Sequence, residues 1–153
     1  MESHYTATGL VVNRAGNKVL LVLHKKLQLW LPAGGHVEEG ELPHNAAIRE
    51  VFEETGVPAL IMNASTHLDL HSGSEIQIPA PRFVLHEFIP AYKDKAEHMH
   101  YDFIYHMQAE CDECLVNEHE VESVQWFGLE QLLSCKTNEA TRKMYSILLH
   151  GSD

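Results

Sequence analysis

Cysteine is scarce in this sequence: Cys111, Cys114 and Cys135 are all there are among 153 residues. A small, odd set of cysteines makes no disulfide framework, so a reducing cytoplasm is the expected compartment. Long apolar runs are missing too. The longest aliphatic run is Val19 to Leu23, far short of the roughly 20 residues a membrane span needs. Met1 to Leu10 has neither a basic n-region nor an apolar h-region, so no secretory signal is expected there. Positive charge is short, with 11 Lys+Arg against 22 Asp+Glu and a net charge of −11. Such a chain repels nucleic-acid backbones and anionic membranes, which argues against a polymer-coating or membrane role. A phosphate substrate would need a cation between it and the protein. There is no low-complexity stretch and no internal repeat. With 44% hydrophobic and 22% charged residues, one globular domain over residues 1–153 is expected. No Walker A motif is present, and Gly9 before an apolar run is not a dinucleotide fingerprint.

Tyr5 to Val12, rich in Thr, Val and aromatic residues, reads as a strand. Asn13 to Asn17 is a turn and Lys18 to His24 a second, buried strand, so a hairpin is expected. Trp30 to Gly35 is a short extended piece ending in two glycines. Pro43 to Thr55 is the clearest helix: Pro43 suits a first turn, and Ala47, Ile48, Val51, Phe52 and Thr55 make an apolar stripe. Gly56 and Pro58 end it. Short strands are expected at Leu60–Met62 and Thr66–Leu70, then a loop over 71–81. Longer strands are expected at Arg82–Ile89 and Tyr101–Gln108, with a polar connection over 91–99. A last strand at Val121–Phe127, a helical turn at Leu129–Leu133 and a helix at Asn138–Leu149 complete the chain. Strands flanking a central helix, with another helix at the end, suggest α+β or α/β layered packing.

The chemistry lies on the central helix. Glu50, Glu53 and Glu54 stand at i, i+3 and i+4 and share a face, with Cβ atoms about 5–6 Å apart. At an effective dielectric of about 20, each pair repels by roughly 3 kcal/mol before salt and water relax it. They also occupy the second half of the helix, where its dipole disfavours anions. Arg49 offers one compensating charge, and a divalent metal would supply the rest. Carboxylate oxygens are hard ligands, so Mg²⁺ or Mn²⁺ is expected rather than zinc. A cation so held keeps positions for water and phosphate, which points to attack of water on a phosphoryl group. A solvated acidic face is the plainer reading of three glutamates alone.

The surrounding residues extend the pattern: Gly35-x5-Glu41-x7-Arg49-Glu50-Val51-x-Glu53-Glu54-x-Gly56-Val57. This stretch, 35–57, matches the Nudix box at each defined position, and the chain resembles the Nudix hydrolases. Trp30 to Gly35 looks like the usual approach to the box, and Glu120-Val121 with Trp126-Phe127 like the family's last core strand. The resemblance implies an α/β/α sandwich with a mixed central sheet. It implies Mg²⁺-dependent hydrolysis of a nucleoside diphosphate linked to another group. The partner is then a small nucleotide-type molecule, with no nucleic-acid polymer or membrane and a homodimer left open. A catalytically inactive nucleotide-sensing module on the same fold is the alternative. Carried over by position, Glu50, Glu53 and Glu54 would hold the metal, with a backbone carbonyl at Gly34 or Gly35. Arg49 would orient the glutamates, and Glu41 would tie the loop to the helix. Glu53 or Glu50 would activate the water, or else Glu120 from outside the box, with Glu118 and His119 as rivals.

Twelve histidines are many for this length. His98, His100 and Asp102 alternate and would share one face of a strand; structural, substrate-facing and metal-binding readings are all open for them. Cys111-x2-Cys114 has half of a zinc-knuckle spacing, and no second pair exists. Trp30, Phe83, Tyr92, Tyr101 and Phe103 are each candidates either to stack on a base or to pack in the core. Gly73 stands where the ADP-ribose branch of the family has proline, and Glu75 where the dinucleoside-polyphosphate branch has tyrosine. The substrate therefore stays open.

Overall fold

The computed structural model describes residues 1–62, 65–114 and 121–150. Its elements run β1 (Glu2–Val12), β2 (Val19–His24), β3 (Trp30–Leu31), β4 (Ala33–His36), α1 (Pro43–Thr55), β5 (Ala59–Ile61), β6 (Phe83–Ile89), β7 (His98–Ala109), β8 (Val121–Phe127), α2 (Leu129–Ser134) and α3 (Glu139–His150). The sheet is mixed. β1 lies at its centre and pairs parallel with β7 from Glu2↔His98 to Val12↔Gln108. β4 pairs antiparallel with β1, β6 and β5 pair with β7, and β8 and β3 pair with β2.

Strand alternation divides the core into two layers. Ala7 and Val11 of β1 face α1 and pack with Ala46, Ala47 and Val51. Leu10 and Val12 face the other way, toward Leu132 of α2 and Met144 and Tyr145 of α3. Helices on both faces of a mixed sheet make the expected α/β sandwich. Helix α1 sits so close to β1 that a Cβ at Gly9 would stand 2.5 Å from Val51 Cγ2 and 2.7 Å from Met107 Sδ.

Several expectations are corrected. The hairpin of β1 and β2 is reduced to one pair, Val12↔Val19. The Asn13 side chain still organises the turn, accepting from the amides of Asn17 and Lys18 at 2.9 and 3.0 Å. At the next rung the buried Tyr145 hydroxyl intervenes, accepting from Val11 N at 3.1 Å and donating to the Leu20 carbonyl at 2.9 Å. Beyond it β2 pairs along its length with β8. Thr66–Leu70 is irregular chain rather than a strand; its residues are exposed, so no core face selects an extended register. β1 and β7 each begin three residues earlier than expected, because parallel pairing with the partner carries both outward together. On α1, Phe52 is exposed and Glu54 is buried. The stripe through Ala47 and Val51 continues to Glu54 and Thr55 at i+7 and i+8, and Phe52 falls to its side.

Candidate active site

Two β4 glycines and the α1 carboxylates meet at the edge of β1. Thr8↔Gly34 and Ala7↔Gly35 are register pairs. A Cβ at Gly34 would strike Thr8 Oγ1 at 2.6 Å and the Ala7 carbonyl at 2.7 Å. At Gly35 it would stand 2.5 Å from the Glu50 carboxyl carbon. The loop therefore comes close enough for Gly34 N to donate to Glu54 Oε2 at 3.0 Å.

Arg49 organises the remaining carboxylates. Its Nε and Nη2 donate to Glu41 Oε2 and Oε1 at 2.8 and 3.0 Å, a bidentate pair. Nη1 donates to Glu50 Oε1 at 2.8 Å and to Glu53 Oε2 at 3.2 Å, and Nη2 reaches the His36 carbonyl at 3.0 Å. Arg49 thus reaches the glutamates as expected, with its bidentate pair on Glu41 and a single bond each to Glu50 and Glu53. Glu41 also accepts from Glu38 N, which ties the loop to the helix. The hydrogen bonds from Arg49 hold the Glu41 carboxyl below the usual carboxylate range. Glu41, through its hydrogen bonds, and Glu50 in turn hold the guanidinium more firmly protonated than usual.

One guanidinium faces Glu38, Glu41, Glu50 and Glu53 within 4 Å, with Glu54 alongside at Gly34. Four negative charges around one positive charge leave an excess that a cation would neutralise. The donors are oxygens, and Gly35 has no Cβ to fill the space beside Glu50. This donor set fits a hard divalent ion.

Beside the glycines lies a cleft of about 730 Å³, within the range of nucleotide-sized pockets. Its floor holds Thr6, Thr8, His100 and Asp102, with Glu87 of β6 at its side. The Asp102 carboxylate is buried and accepts from Thr6 at 3.1 Å and from Thr8 at 2.9 and 3.0 Å. Burial pushes Asp102 up, against those two hydroxyls. Burial and the nearby Asp102 raise Glu87 to about 7. His98, His100 and Asp102 alternate along β7, and the parallel register adds His4 opposite His100 and Thr6 opposite Asp102. Thr6, Thr8, Glu87, His4 and His36 were missed by the sequence reading. The polar alternation His4-x-Thr6-x-Thr8 in a buried strand was the available signal.

Of the aromatic candidates, Tyr92 lines the cleft, where Lys26 Nζ sits 3.5 Å over its ring. Trp30 packs edge-on against Phe127, and Phe83 and Phe103 pack on the core. Tyr101 stacks on His86 away from the cleft. Gly73 has φ +77°, which a proline ring excludes. Among the described residues Cys111 and Cys114 join no cluster of metal-ligating groups. Glu118, His119 and Glu120 lie outside the described residues.

The NUDIX domain profile matches residues 3–148. The chain belongs to the NUDIX family. A Bacillus subtilis (strain 168) protein, provisionally named an 8-oxo-dGTP diphosphatase, is 40% identical over 52 residues, 34% of this chain. That match spans about a third of the relative's length, 35%. A NUDIX-family hydrolase from Clostridium perfringens has the same fold over 100% of both chains, with TM-score 0.79 and 27% identity. An Ap4A hydrolase from C. elegans superposes over 97% of this chain and 98% of its own, with TM-score 0.60 and 20% identity. These likenesses bear out the expected fold class and family. Among the described residues no helix is long and apolar enough to cross a membrane.

Proposed function

We propose that this protein is a cytoplasmic, single-domain pyrophosphohydrolase that uses Mg²⁺ or Mn²⁺ to cleave a nucleoside diphosphate linked to a further group. The observation that supports this most is the Arg49 fan, which gathers Glu41, Glu50 and Glu53 beside a nucleotide-sized cleft, with Glu54 at Gly34 N. Glu50, Glu53 and Glu54, with a carbonyl of Gly34 or Gly35, would hold the cation. When bound, it would screen the phosphate oxygens and favour ionisation of the attacking water. Arg49 orients the carboxylates by charge-assisted bonds. A carboxylate takes the proton of the attacking water as the phosphoanhydride P–O bond breaks, and the products are a monophosphate and a second phosphorylated group or pyrophosphate. Glu53 suits the base role: it is the more exposed of the two α1 carboxylates bonded to Arg49, and its bond to Arg49 is the longer, 3.2 against 2.8 Å.

The cleft chemistry supports a nucleotide. The carboxyl oxygens of Asp102 and Glu87 favour an N–H-bearing edge, as a nucleobase has; Tyr92 offers a ring to stack on. The names of the relatives make 8-oxo-dGTP and dinucleoside polyphosphates the first compounds to try, followed by sugar nucleotides. The test is a substrate screen with Mg²⁺ and phosphate-release readout, with Glu54→Gln as control. Turnover is expected to vanish in Glu54→Gln and with EDTA, with an unchanged melting temperature. Full-rate hydrolysis by either would reject the proposal. Glu53→Gln and Glu120→Gln divide the base assignment: loss of about 10²–10⁴-fold in kcat at Glu53 with near-normal Glu120→Gln places the base in the box. The reverse places it at Glu120.

A further inference from the structure

The parallel pairing of β1 with β7 gathers imidazoles at one end of the sheet. His4 lies opposite His100, and Glu2 opposite His98. One ring nitrogen from each of His4, His98 and His100 lies within 4.8 Å of the other two. His36 of β4 stands against the group, with ring centroids 5.3 Å from His4 and 5.2 Å from His100.

We propose that His4, His98 and His100 form a binding site for a borderline divalent transition ion such as Zn²⁺, Co²⁺ or Ni²⁺, distinct from the carboxylate site of the box. The hydrogen bonds leave lone pairs available. His98 Nδ1 lies 3.0 Å from the Ala96 carbonyl, which can only accept, so the proton is at Nδ1 and Nε2 carries a lone pair. That Nε2 accepts from His100 Nε2 at 3.1 Å in the metal-free protein, so the ion would replace this hydrogen bond, with the His100 proton moved to its Nδ1. Two nitrogens bound at about 2.0–2.1 Å to one tetrahedral zinc are roughly 3.3 Å apart, so little movement is needed. His4 Nε2 stands 2.7 Å from Glu2 Oε1. With its proton there, the lone pair is on Nδ1, which is buried with no hydrogen-bond partner among the described residues. A carboxylate on the far nitrogen of a ligating histidine is the usual outer support of such sites, because it orients the ring and raises its basicity.

Imidazole nitrogen suits zinc, cobalt or nickel and is a poor donor for Mg²⁺, so the two sites select different ions. Three protein ligands leave one position for water, and His100 also lines the cleft, so the site borders the substrate space.

The test uses the untagged full-length protein, stripped of metal and held in excess Mg²⁺ to occupy the box. Cobalt titration is read by its visible d–d absorption, and Zn²⁺ affinity by competition with a chromophoric chelator. One equivalent with intense tetrahedral-type bands is expected. His4→Ala, His98→Ala and His100→Ala should each weaken Zn²⁺ at least tenfold, and Glu50→Gln should leave it unchanged. Because these histidines pack together, wild-type protein provides a second measurement: Zn²⁺ but not Mg²⁺ should protect His4, His98 and His100 from diethyl pyrocarbonate, read by mass spectrometry. Failure to bind Zn²⁺ in excess Mg²⁺, binding lost in Glu50→Gln but kept in the histidine variants, or equal reactivity of the three rings with and without Zn²⁺ would each overturn the site.

Discussion

Gly35 and Glu50 compete for the same space: a Cβ at Gly35 would stand 2.5 Å from the Glu50 carboxyl carbon and its Oε1. The glycine gives the carboxylate its position. Gly35→Ala is expected to displace Glu50 and lower kcat at least tenfold with little change in stability, because a side-chain end can swing aside. Gly34→Ala behaves differently, since its Cβ meets the Ala7 carbonyl and Thr8 Cα of the neighbouring strand. It should cost about 1–3 kcal/mol in unfolding free energy. Kinetics and denaturant melts of the two variants, side by side, check this separation.

Arg49 cannot be replaced by lysine without loss. An ammonium has no planar fork to bridge both Glu41 oxygens while reaching Glu50 and Glu53. Arg49→Lys should lower stability by about 2 kcal/mol, from the lost charge-assisted bonds on this half-buried group. It should also raise the Mg²⁺ concentration needed for half-maximal turnover. Equal Mg²⁺ dependence of variant and wild type would show that the fan does not set the carboxylate geometry.

Tyr145 closes the fork between β1 and β2. Tyr145→Phe keeps the ring but leaves Val11 N and the Leu20 carbonyl unpaired in a buried place. A cost of about 2–4 kcal/mol is expected from two unsatisfied backbone groups. The check is thermal and urea unfolding of the variant, which should retain kcat because the residue is far from the box in the packing of the opposite sheet face.

Glu87 makes stability depend on pH in a specific direction. Its folded-state value, about 7, lies above the ordinary carboxylate range near 4.5. The folded protein therefore holds a proton that the unfolded chain releases. The stability this contributes is complete below about pH 4.5 and is lost as pH rises through about 7. Glu87→Gln removes the titration. The variant should gain on wild type between pH 5 and pH 8 by on the order of 1–2 kcal/mol, read as the difference in melting temperature at the two pH values. A constant difference across that range would count against a buried, proton-holding Glu87.

Much of the site was legible in one dimension because its parts are local. A helix repeats every 3.6 residues, so Arg49, Glu50, Glu53 and Glu54 share a side of α1 whatever packs on it, and Gly56 ends the helix at φ +72°. The spacing from Gly35 to Val57 brought the family with it, and the family brought the layered fold. The tertiary structure decided what depends on contacts distant in sequence. Parallel pairing of β1 with β7 needs a long crossover and leaves no local mark, so nothing in the sequence order placed His4 beside His100 or Thr6 and Thr8 on Asp102. Helical period alone did not say which flank of α1 meets the sheet. Packing buried Glu54 against the Gly34 amide and sent Phe52 into solvent, because the glycine loop has a donor to satisfy there and no room for a ring. The strand pairing of β2 turned on one hydroxyl from the last helix, 125 residues away in the chain.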